Sequence, residues 1–125
     1  MDETYYQALA FCQRSTREDG IDAALNYFGN GTKLDALLVP PDVGQTYQIA
    51  AQAGYPMITL PAGVAQGGTE MPYGLALMGT AWSEAELVKW ASAIEDLQLT
   101  SGTKWKRTLP TWGSYLERNL PVLNL

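Results

Sequence analysis

The chain has 125 residues, of which 46% are hydrophobic and 17% charged, and carries a net charge of −5. That length and apolar content fit one modest domain able to bury about two thirds of its unfolded surface, which excludes a disordered polypeptide. The negative balance removes the electrostatic basis for gripping a phosphate backbone, so nucleic acid is excluded as a partner, and a charged share below the roughly 25% of ordinary soluble domains implies surface that something else covers.

In chain order, the opening Met1-Asp2-Glu3-Thr4 has neither a positive n-region nor an apolar h-region, so the expected compartment is the cytoplasm. No apolar run approaches the ~20 residues of a membrane span. Residues 2–19 place Tyr5, Leu9, Phe11 and Cys12 at helical spacings, which predicts a helix stopped by Gly20. Cys12 is the single cysteine and histidine is absent, which excludes an intrachain disulfide and the common Cys/His zinc sites. Cys12 itself reads as a small buried hydrophobe, and neither a cofactor nor a metal is expected. Residues 21–28 predict a second short helix with Ala24, Leu25 and Phe28 on one side, ended by Gly29-Asn30-Gly31. Asn30-Gly31-Thr32 fits a glycosylation sequon but reads as a turn.

Residues 34–39 are apolar at almost every position, as in a strand buried on both faces, and Pro40-Pro41 ends them. Residues 45–53 suit a short helix, and residues 57–60 the next strand. Strand, helix and strand in that order predict a parallel pair joined by a right-handed crossover. The loop Pro40-Pro41-Asp42-Val43-Gly44 then lies at the carboxyl end of a strand, where open α/β sheets place ligands. Asp42 and Tyr47 are therefore candidate substrate-pocket residues, set against ordinary surface and packing roles.

Gly63 and Gly67-Gly68 mark a loop. Residues 73–80 predict a strand with Tyr73, Leu75 and Leu77 on one face and Gly74, Ala76 and Met78 on the other. Ser83 with Glu86 three residues on forms a capping box, and Leu87, Trp90, Ala91 and Ile94 form the apolar stripe of the helix that follows. Pro110 and Pro121 bracket a final short helix carrying Trp112, Tyr115, Leu116 and Leu120. Lys104-Trp105-Lys106-Arg107 reads as a solvated loop.

Four pieces fall in a telling order: Asp35-Ala36-Leu37-Leu38-Val39-Pro40, Gly54-Tyr55-Pro56-Met57-Ile58-Thr59-Leu60-Pro61, Pro72-Tyr73-Gly74-Leu75 and Ser83-Glu84-Ala85-Glu86-Leu87. Arg17-Glu18-Asp19-Gly20-Ile21-Asp22 precedes them and Lys106-Arg107-Thr108-Leu109-Pro110 follows. The ordered set resembles the closing segment of the amidase signature family. In that family a serine attacks a carboxamide carbon, a second serine relays the proton, a lysine acts as base and backbone amides hold the oxyanion. The resemblance implies a C-terminal portion of an amidase domain over residues 1–125, with a helical lead-in (2–28), a sheet and helix core (34–99) and a tail (100–125). The fold it implies is α/β, a mixed sheet of about three strands with flanking helices, part of a larger amidase fold.

The family's nucleophile sits in a Gly- and Ser-rich run, and no Gly-Gly-Ser-Ser occurs here. Ser15, Ser83, Ser92, Ser101 and Ser114 are isolated, and Lys33, Lys89, Lys104 and Lys106 read as solvated charges. No catalytic residue is assigned, and the chain alone is expected to be inactive. A small-molecule amide would be its ligand only with the rest of the amidase present. The alternative reading is a stand-alone, non-catalytic binding or dimerisation module, and either reading anticipates self-association or pairing with the remaining amidase portion through an open sheet edge.

Overall fold

The computed structural model describes residues 1–41, 43–65 and 71–100. Helix α1 (Glu3–Thr16) starts where the Asp2 carboxylate accepts a hydrogen bond from the Tyr5 amide at 3.0 Å, satisfying one of the orphan donors of the first turn. The chain does not stop at Gly20. It widens into a π-helical turn (Arg17–Asp22) and continues as the single turn α2 (Ala23–Leu25). This widened turn swings Ile21 and Leu25 into the core, whereas Phe28 and Cys12, both expected inside, are exposed.

Strand β1 (Leu37–Val39) precedes α3 (Thr46–Ala53), β2 (Met57–Val64), β3 (Pro72–Met78) and α4 (Glu84–Thr100). Gly54 ends α3 in the left-handed region at φ 66°, so its amide and that of Tyr55 can turn back onto the last carbonyls of the helix. Pro56 then forces the extended geometry that feeds β2.

The α/β architecture and the three-stranded sheet follow the sequence reading, but the pairing needs one correction. The sheet order is β1-β3-β2 with both pairs antiparallel. Strands β1 and β2 run in the same direction without touching, because β3 lies between them. Proline explains the order. Pro61 lies within β2, which extends through it to Val64 with an irregularity between Pro61 and Gly63. A residue without an N–H is tolerated on an edge strand or at a bulge, so the strand runs on past the expected residues 57–60, and Pro61 confines it to the margin. Gly74 sits opposite Pro61, and a side-chain carbon there would lie 2.8 Å from the Leu60 carbonyl oxygen.

Successive residues of β3 serve opposite faces. Met78 packs with Ile21, Leu25, Ala50 and Ala53 beneath the N-terminal helices and α3, while Leu77 packs with Leu60, Leu87 and Ala91 beneath α4. The result is a helical layer, a sheet and a second helical layer. Residues 34–39 are not buried on both faces: Leu38 is 58% exposed on the outer strand. The helix after Ser83 docks as predicted through Leu87, Ala91 and Ile94, but Trp90 sits at the rim, 39% exposed, with Lys89 over its ring at 5.2 Å. The expected final helix and the Lys104–Arg107 stretch lie outside the described residues.

Leu87 and Trp90 therefore have different expected costs. Leu87→Ala should destabilise the fold by about 2–5 kcal/mol because it empties a closed site, and Trp90→Ala by clearly less, since much of the ring is already in water. Denaturant unfolding of the two variants checks this order; a Trp90 loss as large as that of Leu87 would contradict the placement of α4.

Candidate functional site

The polar residues converge at the end of the sheet where β2 begins and β3 finishes. The π-helical turn supplies Arg17 and Asp22, the α3–β2 junction supplies Tyr55, and the loop after β3 supplies Thr80. The Asp22 carboxylate accepts the Tyr55 hydroxyl at 2.7 Å on one oxygen and the Thr80 hydroxyl at 2.6 Å on the other. Arg17 donates through Nε to the Ala53 carbonyl at 2.6 Å, and its guanidinium lies 5.9 Å from the centre of the Tyr55 ring. One acid thus joins segments separated by 33 and 58 residues.

The loop leaving β3 is held as firmly. The Gly79 amide donates to the Pro56 carbonyl at 3.2 Å and the Ser83 hydroxyl to the Thr80 carbonyl at 2.6 Å. The Ser83 oxygen fills the space where a side-chain carbon at Gly79 would stand, so a larger residue there would push that hydroxyl off Thr80. This also corrects the capping box: the Ser83 hydroxyl turns back to Thr80, and Glu86 accepts from Lys89 at 3.0 Å. Trp82, in the middle of the loop, takes a left-handed conformation at φ 61° with its side chain 92% exposed. Such a conformation costs a non-glycine residue about 1–2 kcal/mol.

A cleft of 320 Å³ opens beside this cluster, with Arg17, Tyr55, Trp82 and Glu84 among its walls. It offers a cation, a carboxylate, a phenol and an indole, a set that can bind but contains no nucleophile beside a base. Among the described residues the serines and lysines do not meet: Ser83 is bonded to Thr80, and Lys89 to Glu86. No group of Cys, Asp or Glu among the described residues is placed to hold a metal ion.

Of the two pocket residues proposed from sequence, one is described and does not belong to this cluster. Tyr47 is exposed in the first turn of α3, and Asp42 lies outside the described residues. The Asp22 cluster itself was not anticipated, although three of its members, Arg17, Asp22 and Tyr55, stand in the Arg17–Asp22 and Gly54-Tyr55-Pro56 pieces singled out above.

No family model matches the chain. It is 46% identical over 125 residues to a provisionally named amidase of Schizosaccharomyces pombe, covering 97% of this chain and 20% of that protein. A second provisionally named amidase, from Arthroderma benhamiae, is 37% identical over 76 residues, half of this chain and 12% of the relative. Among solved structures, the native peptide amidase from Stenotrophomonas maltophilia matches with a TM-score of 0.66 and 39% identity over 76% of this chain and 20% of its own. The peptide amidase PAM in complex with the competitive inhibitor chymostatin matches with a TM-score of 0.67 and 36% identity, over 78% of this chain and 21% of its own. The sheet and its helices are thus a piece of the peptide amidase fold. The chain belongs to the amidase signature family and spans about a fifth of the length of the relatives it matches. Among the described residues no helix is long and apolar enough to cross a membrane.

The hydrogen bond from Tyr55 to the Asp22 carboxylate raises the phenol above its ordinary value of 10.0, with burial and the Asp22 charge acting in the same direction and Thr80 and Arg17 opposing. The folded state therefore favours the protonated phenol more than the unfolded chain does. Its contribution to stability is complete below about pH 10 and is lost as pH rises through the higher folded value. Between those two values wild type should lose stability more steeply than Tyr55→Phe. Unfolding measured on both proteins across that range checks it, and parallel curves would contradict the Asp22 contact.

Proposed function

We propose that this chain is the closing segment of an amidase that hydrolyses linear carboxamide C–N bonds, and that it supplies scaffold and not the reacting groups. One observation carries the reading. The chain aligns along nearly all its length with a fifth of an amidase, yet its sequence contains no Gly-Gly-Ser-Ser run. The nucleophilic serine, the relay serine and the lysine would lie in the remaining part of the enzyme. The peptide amidases it resembles support a carboxamide substrate for the whole protein.

Within this reading Asp42 and Tyr47 border the substrate pocket of the complete enzyme from beyond the carboxyl end of β1, supported by the exposure of Tyr47. The cytoplasm is the compartment we assign to it. A second reading, a stand-alone module that binds a partner or a second copy, is favoured by the two closed apolar clusters, which give the segment a core of its own.

The isolated chain should hydrolyse neither benzamide nor a fatty acid amide above background, because removing the central catalytic groups removes most of the rate enhancement even where binding survives. The assay is product release from both amides. Turnover abolished by replacing one of the five serines would overturn the scaffold reading.

A further inference from the structure

Every residue from Met1 to Cys12 is exposed, although ten of them belong to a regular helix. Tyr5, Leu9, Cys12 and Thr16 follow one another at spacings of four, three and four, which places them along one face of α1. The C-terminal end of that face is closed: Thr16 is buried, its hydroxyl donates to the Cys12 carbonyl at 2.8 Å, and α1 packs on α3. Toward the N-terminus the same face is only partly covered, leaving Leu9 39% and Tyr5 44% exposed beside Tyr6, whose ring meets Tyr5 edge to face. A helix of this length is marginal in water without tertiary packing on its apolar side, so a face that starts inside an interface and runs on into solvent is the visible half of a longer interface.

We infer that the Tyr5–Leu9–Cys12 face of α1 is the surface on which the rest of an amidase chain docks. The inference rests on the functional reading above. The occupant follows from length: four fifths or more of each matched relative lies outside the stretch shared with this chain, and the open face continues the existing contact between α1 and α3. Attachment is apolar and aromatic. Residues 4–13 carry no charged side chain, so the strip between Glu3 and Arg14 is uncharged and suited to burial.

The test replaces the matched fifth of the Schizosaccharomyces pombe relative with this chain, so that the face is examined in a full-length protein. Leu9→Asp should lower the thermal midpoint of the chimera by a shift about three or more times that seen in the isolated chain, where the position is partly open to water. Gln7→Asp, on the opposite side of α1 where Gln7 is bonded to Glu3 at 3.0 Å, should produce no such difference. Equal shifts in both settings, or none in the chimera, overturn the proposal, as does failure of the unsubstituted chimera to fold. Concentration-dependent self-association of the isolated chain that Leu9→Asp abolishes assigns the face to a second copy and overturns it too. A folded chimera that cleaves no amide overturns the functional reading but leaves the docking face standing when the Leu9 difference is present.

Discussion

The carboxylate of Asp22 holds together the parts of the chain that sequence keeps apart. Its two oxygens take one hydroxyl each, from Tyr55 and Thr80, and those residues stand at the two junctions where helix and strand exchange, α3 to β2 and β3 to α4. A hydrogen bond to a charged group contributes about 1.5–3 kcal/mol, more than the neutral bonds of an ordinary turn. Position matters as much as strength. Because the acceptor belongs to the π-helical turn, the N-terminal helices are tied to the sheet by a polar contact at its end as well as by Ile21, Leu25 and Met78 beneath it. The apolar cluster fixes how close the layers come, and the carboxylate fixes where along the sheet they sit.

The same contact makes the Asp22 cluster a poor candidate for chemistry. A carboxylate already accepting two short hydrogen bonds is committed to them, and a phenol held in its protonated form by that carboxylate is a poor base. Arg17 adds its Nε bond to the Ala53 carbonyl and so caps the end of α3 with positive charge, where the helix dipole favours it. These are the properties of a joint. Such a joint suits a segment that must keep one shape.

Most of the local structure could be read from the residues, because its causes are local. The αL glycine after α3, the extended Tyr55 before Pro56 and the Leu87, Ala91 and Ile94 stripe of α4 each depend on a few neighbouring residues. Strand pairing does not. Strand β1, helix α3 and β2 follow one another in the manner of a crossover unit, and only the arrival of β3 between the two strands changes the pairing from parallel to antiparallel. A signal was nevertheless present: Pro61 bars β2 from the centre, Pro40 and Pro41 shorten β1, and β3 alone carries its proline at its first residue. The candidate site was less legible still. Asp22 looks like any acidic residue near a helix end until Tyr55 and Thr80 arrive from 33 and 58 positions away.

Burial departs from the sequence pattern mainly on the outer surfaces. Leu87 and Leu25 close as their spacing demands, but Leu38, Phe28, Leu9 and Cys12 carry apolar character without burial. Intrinsic pattern records the environment for which a sequence was selected, and burial records the neighbours that are present. Where the two agree, the segment supplies its own partners. Where they disagree, on α1 and on the outer strand, the sequence is that of a buried element and the surface is open. The stretch matched here, about a fifth of its relatives' length, shows this division: it completes the layers between its own helices and its central strand and leaves their outer sides open.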